Sequence, residues 1–135
     1  MNLFQFLTPK SGVAFVEDVS TLRQGLEKMR FHGYTALPVI DRDGRYCGTV
    51  TEGDFLWDMI RRGEPDMKSQ EKVLVRDILR AGWNPPIGIG ATPEELLMKV
   101  RDQNFLPVID DRGMFVGIVT RKNVIGFFAD TYLKS

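Results

Sequence analysis

Residues 37–54 read "LPVIDRDGRYCGTVTEGD", and residues 106–123 read "LPVIDDRGMFVGIVTRKN". Aligned so that Pro38 meets Pro107, 69 positions on, the two stretches share nine of their eighteen residues. Self-similarity at this level defines the structural unit before any single motif does. In each copy a short apolar run is closed by a turn, "DRDG" or "DDRG", in which Gly44 or Gly113 supplies positive φ. A second apolar run follows, "YCGTV" or "FVGIV", and then a polar helix start, "TEGD" or "TRKN". The spacing predicts two antiparallel strands and a helix, twice.

The repeat extends upstream. At an offset of 71, Thr21 aligns with Thr92, Leu26 with Leu97 and Met29 with Val100, so the second copy is two residues shorter ahead of "LPVI". "TLRQGLEKMRFH" and "TPEELLMKVRDQ" carry apolar residues at helical spacing, Leu22, Leu26 and Met29 in one, Leu97 and Val100 in the other. Thr21 with Gln24, and Thr92 with Glu95, have capping-box spacing, and Pro93 stands at the favoured first helical position. "VAFV" (13–16) and "IGI" (87–89) are strand candidates ahead of these helices. The final helices place Phe55, Met59 and Ile60 in one copy, and Val124, Phe128 and Ala129 in the other, on the inner side. The expectation is an α+β fold: repeat one over 1–62, a linker with a short helix over 63–80 that includes the polar "GEPDMKSQEK", and repeat two over 81–135. Neither β-α-β-β-α unit closes a core alone, so the two are expected to pack sheet to sheet about a pseudo-twofold axis.

Bulk properties narrow the function. The 135 residues carry 18 Lys plus Arg against 18 Asp plus Glu, so no overall field favours nucleic acid or anionic lipid. One cysteine allows no internal disulfide, and no apolar run reaches the roughly 20 residues of a membrane span. The opening "MNLFQFLTPK" has no basic region, apolar run or cleavage site of a secretory signal. A soluble cytoplasmic protein is expected. A single His and a single Cys exclude the common zinc arrangements and argue no catalytic triad, and no G-x-x-x-x-G-K-[ST] occurs. Neither enzyme activity nor a metal or cofactor is expected. Cys47 aligns with Val116, which points to a small packing position.

Strand, helix, "h-P-V-h-D", turn, "G-x-h-T-x-x-D" and amphipathic helix, written twice, resembles the CBS domain, whose tandem pairs are called Bateman modules. "LTPK" (7–10) and "HGYTALPVID" (32–41) also look like small stand-alone CBS-pair proteins of bacteria. The resemblance implies a regulatory homodimer that takes AMP, ADP, ATP or cyclic di-AMP in clefts between the repeats and relays occupancy to a protein partner. A scaffold without ligand, or a regulatory subunit of a separate enzyme or transporter, is the alternative.

By the same resemblance Asp54 grips the ribose. A carboxylate accepts from both hydroxyls of a cis-diol, whereas Asn123, its counterpart, has one accepting oxygen. Thr51 and Thr120 read equally as helix caps. Glu52 and Asp54 make the first helix start acidic, while Arg121 and Lys122 make the second basic; phosphate-rich ligands are therefore expected at the second and nucleosides or low-charge nucleotides at the first. His32 and Tyr34 are candidates to stack on a base, His32 also being a plain helix-end residue. Thr35, Ala36, Pro38 and Thr49 are implied around the first cleft, and Phe105, Pro107 and Ile118 around the second. Val13, Ala14 and Phe15, and Pro86, Ile87 and Gly88, are implied on the far walls. Trp57, Phe127, Phe128 and Phe31 belong either to the core or to a face that meets a second copy.

Overall fold

The structure, a computed structural model, describes residues 3–63 and 68–133; part of the expected linker, residues 64–67, lies outside the described residues. Among the described residues it is α+β, with four α-helices and two sheets. The chain divides into two compact units, and these do not follow the repeats end to end: one contains residues 14–83, the other residues 3–13 together with 84–133.

In the first unit, β2 (Val16–Glu17), β3 (Ala36–Ile40) and β4 (Tyr46–Thr51) form a three-stranded sheet, parallel between β2 and β3 and antiparallel between β3 and β4. The strand expected over 13–16 is thus displaced: only Val16 joins the sheet, opposite Val39. Helices α1 (Leu22–His32) and α2 (Glu52–Arg62) complete the unit. Thr21 accepts from Gln24 N and Gln24 returns to Thr21 N, so the box forms as expected, and Gly33 at φ 70° ends the helix. Leu22, Met29, Leu37, Val39, Val50, Phe55 and Val75 form the core, and the expected Leu26 packs on its margin.

In the second unit, β1 (Leu7–Pro9), β7 (Phe115–Thr120), β6 (Phe105–Ile109) and β5 (Ile87–Gly88) lie side by side in that order. Helices α3 (Pro93–Lys99) and α4 (Arg121–Leu133) accompany them. Strand β1 was not legible as a strand; Pro9, which has no N–H to give, is tolerated because β1 is an edge. Helix α3 stops short of the expected Gln103 because Val100 takes its C-cap. Phe6 meets the Phe127 ring edge-on at 5.0 Å, so Phe127 belongs to the core, whereas Phe31 and Trp57 are exposed. Ile60 and Ala129, expected inward, also face out.

Both antiparallel pairs share an irregularity. Ile40 pairs with Tyr46 and Val39 with Gly48, leaving Cys47 as the extra residue of a bulge; Ile109, Phe115, Val108 and Gly117 repeat the pattern around Val116. A bulged residue leaves the ladder; Cys47 is exposed rather than packed as expected, whereas Val116 at the same place packs half-buried against the second core.

The helix pairs exchange volume between repeats. Leu97, expected in the core, is 40% exposed, and Leu96 is fully buried in its place. Its counterpart is Gly25, where an added Cβ would lie 3.0 Å from Phe55 Cζ; the counterpart of Phe55 is Val124. Thus one repeat packs small against large, and the other large against small. Gly25→Leu is expected to cost about 3 kcal/mol by overpacking, and Phe55→Val about 2 kcal/mol by leaving a cavity. The double variant, which imports the second repeat's pair, should be more stable than the sum of the two changes by about 2 kcal/mol in urea denaturation. Simple additivity would show that the two positions do not share one space.

Candidate functional site

The helix entrance at 51–54 is built by a capping box. Thr51 Oγ1 accepts from Asp54 N at 3.2 Å, and Asp54 Oδ2 accepts from Thr51 N at 2.8 Å and from Thr51 Oγ1 at 3.0 Å. Glu52 N donates to Thr35 O at 3.0 Å, tying the entrance to the loop before β3. Capping therefore consumes one carboxylate oxygen of Asp54 and leaves Oδ1 facing the cavity side.

What meets Oδ1 comes from the segment after the linker. Leu22 N donates to Val73 O, Val75 N to Ser20 O and Arg76 N to Asp18 O, so residues 73–76 run alongside 18–22. Val75 and Ile78, in a short 3-10 turn, bury their side chains in the core, and Leu79 Cδ2 lies 3.3 Å from where a Cβ at Gly48 would stand. The chain then emerges at the helix entrance, where Arg80 Nε donates to Asp54 Oδ1 at 2.7 Å. The guanidinium also lies over the Trp83 ring, 4.0 Å from its centroid.

These residues enclose a cavity of about 570 Å³ lined by Thr51, Gly53, Asp54, Trp57, Arg61, Asp77, Ile78, Leu79 and Arg80. The size suits a small organic ligand, with an apolar wall and a few convergent polar groups. Arg61 is the looser cation: its nearest acid, the buried Asp58, stands 3.7 Å away and is held at 3.0 Å through both oxygens by Arg62 Nε. Two arginines thus face two acids here, so this entrance is not the acidic site expected from Glu52 and Asp54.

The other expected residues are distributed as follows. Of that set, Thr51 and Asp54 line the cavity. Pro38 and Thr49 are buried neighbours across β3 and β4, Thr49 Oγ1 lying 2.7 Å from Tyr46 Oη. Ala14 packs at the core margin, Ala36 is half-buried, Thr35 is exposed and Phe15 lies beneath the Lys28 ammonium at 5.2 Å. His32 is exposed and stacks on Tyr34 at 5.4 Å; Tyr34 lines a different, smaller hollow with Leu26, Met29, Arg30, Gly33 and Glu52. Neither ring is brought to Asp54's cavity.

In the second unit, Asn123 N donates to Thr120 Oγ1 at 3.2 Å and Arg121 N to Asn104 O at 2.9 Å, repeating two backbone N–H bonds of the first entrance. Arg121 Nε donates to Val100 O at 2.7 Å, so this guanidinium anchors the end of α3, whereas it was expected to wait for phosphate. Lys122 and Asn123 are exposed, Ile87 and Pro107 buried, and Val13, Pro86, Phe105 and Ile118 half-buried.

Arg80, Arg61, Trp57 and the 77–79 run were missed from the sequence. Their signal was faint: the apolar residues within 74–79, Leu74, Val75, Ile78 and Leu79, fall at irregular spacing around Arg76 and Asp77, and nothing local ties Arg80 to an acid 26 residues earlier. The Cys47 thiol is pushed up to about 11 by desolvation first and by Asp18 and Asp41 next. Among the described residues no cluster of His, Cys, Asp and Glu could hold a metal, and no helix is long and apolar enough to cross a membrane.

Two α+β units with repeated, bulged hairpins and capped helix entrances, one opening on a charged cavity, define a tandem-repeat module. The CBS-domain family model matches residues 7–60 and again 75–130, and the chain belongs to that family. It is 30% identical over 128 residues to the Cyclic di-AMP receptor B of Bacillus subtilis, spanning 90% of this chain and 82% of that protein. It is 34% identical over 119 residues to a Homoserine O-acetyltransferase of Methanohalophilus mahii, but those residues span 84% of this chain and 23% of the relative. The chain therefore spans about a quarter of the length of such relatives. Among solved structures, CbpB in complex with c-di-AMP superposes with a TM-score of 0.89 over 99% of this chain and 88% of the other, at 25% identity. CBSX2 in complex with AMP gives 0.74 over 99% and 98%, also at 25% identity.

Proposed function

We propose that this chain is a regulatory module that binds an adenosine-containing ligand at the cavity beside Asp54. AMP and cyclic di-AMP, named with its structural neighbours, are the first candidates, ahead of ADP and ATP. The observation that carries the reading is the ion-paired Asp54 at a capped helix entrance, walled by Trp57, Ile78 and Leu79. The carboxylate suits a ribose diol, the apolar wall suits the base, and Arg61 and Arg80 suit phosphate. Ligand acts by favouring one conformational state, which requires unequal affinity for the two. The module works as a cytoplasmic homodimer that relays occupancy to a protein partner and catalyses nothing itself. Its match to about a quarter of the length of two Homoserine O-acetyltransferases supports a second role, the regulatory subunit of a separate enzyme.

Thermal denaturation with AMP, ADP, ATP, cyclic di-AMP and GMP tests the reading. A ligand at a hundred times its Kd adds about 2.7 kcal/mol of stability and raises Tm. An adenine ligand that does so, with GMP inert, supports the proposal. No shift with any of them at millimolar concentration overturns it and leaves the scaffold role.

A further inference from the structure

We propose that Arg80 is the specificity-determining residue of this cavity, a latch that releases Asp54 only to a ligand carrying its own phosphate. The inference rests on the adenosine-ligand reading and adds to it the chemical class selected: nucleotide over nucleoside.

The geometry of Asp54 leads there. Its Oδ2 is committed to Thr51 through two donors of the capping box, and its Oδ1 is held by Arg80 Nε at 2.7 Å. Arg80 Nη2 lies at 3.4 Å from Oδ2 as well, so the guanidinium lies across both oxygens. A ribose that is to use this carboxylate must move the guanidinium aside. The Asp54 side chain is 9% exposed and that of Arg80 47%, so the acid is fixed in the wall and the arginine is the partner free to turn outward.

The cost of that movement depends on the ligand. A neutral nucleoside takes the carboxylate and leaves Arg80 with no anion. A nucleotide supplies one: the guanidinium exchanges a carboxylate for a phosphate, whose oxygens fit the same planar fork. The exchange conserves the ion pair, and Trp83 keeps a stacking surface under the guanidinium through the turn. Arg61, loosely held on the same wall, adds a second donor toward the phosphate. Sequence adjacency alone had assigned phosphate preference to Arg121, but that side chain is engaged by Val100 O.

Calorimetry of adenosine and AMP at one ionic strength, on the wild type, Arg80→Ala and Arg80→Gln, tests the latch. The wild type should prefer AMP by about ten- to a hundredfold, the value of one hydrogen bond between charged groups. In Arg80→Ala the preference should collapse to within about threefold, with adenosine bound as well as before or better, because Asp54 is no longer covered. Arg80→Gln, which keeps most of the stem, should read the same ratio and serves if the alanine variant folds poorly. A wild-type preference that survives both substitutions overturns the latch while leaving the adenosine reading intact. Adenosine and AMP weakening in parallel also overturns it, since that is the mark of a merely structural arginine. A wild type that binds neither ligand overturns the latch, and the adenosine reading falls with it only if cyclic di-AMP, ADP and ATP also leave the Tm unmoved.

Discussion

Gly117→Ala is expected to destabilise the protein by about 4 kcal/mol, combining backbone strain of about 1–3 kcal/mol with a steric overlap that cannot relax. Gly117 lies in β7 at φ 155°, and an added Cβ would stand 2.2 Å from Thr8 O, 2.9 Å from Leu7 Cδ1 and 3.1 Å from Pro9 Cα. Two of the three obstacles are backbone, so the variant must either break the pairing of β1 with β7 or distort it. Gly48 provides the internal control. It holds the equivalent place in β4 at φ 153°, but its nearest obstacle is Leu79 Cδ2 at 3.3 Å, the far end of a flexible side chain. Gly48→Ala should therefore show the strain without the clash, about 1–3 kcal/mol. Urea denaturation of both variants checks the difference. Equal losses would mean that β1 does not press on β7 as described.

The same comparison shows what a sequence carries and what it does not. Both glycines stand in the eighteen-residue repeat, and the hairpin and helix around each were legible because they depend on residues within a few positions of each other. Asp41 and Asp110 make the point at the turns: Oδ1 of each accepts from the second and fourth residues on, Asp43 and Arg45 in one, Arg112 and Met114 in the other. What covers each hairpin was not legible, because the partner is distant and differs between copies. Strand β1 reaches β7 across more than a hundred residues. Leu79 reaches Gly48, and Arg80 reaches Asp54, only because three backbone hydrogen bonds, two of them flanking the Thr21–Leu74 bridge, align residues 73–76 with 18–22. The charge balance of the cavity follows from that placement: Arg61 and Arg80 offset Asp54 and Asp77, and neither arginine is a neighbour that the sequence around Glu52 could supply. Leu97 was mistaken for core because helical spacing alone cannot tell which of two adjacent leucines points inward; the volume of Phe55's counterpart decides it.

Asp54→Ala is expected to lower the affinity for AMP at least a hundredfold, and its interpretation depends on separating three roles of one side chain. The carboxylate caps α2, holds Arg80 and, as proposed, takes the ribose. Loss of the cap alone costs about 1 kcal/mol of stability and should appear as a lower Tm without ligand. Asp54→Asn keeps an oxygen for Thr51 N, so its Tm should stay close to that of the wild type. Yet an amide offers one acceptor against the carboxylate's two oxygens, and AMP should weaken about ten- to a hundredfold. That variant gives the first repeat the residue that the second already has at Asn123, and it measures what the departure costs. The third role is removed by working in an Arg80→Ala background. If Arg80 restrains the acid as a latch, deleting both residues should couple by about 1–3 kcal/mol, because the arginine's obstruction disappears with the group it covers. AMP bound undiminished by Asp54→Ala would take the ribose away from this carboxylate, whatever the cap and the latch do. Undiminished binding by Asp54→Asn alone would show that one oxygen suffices, and it would make Asn123 an equal grip rather than a weaker one.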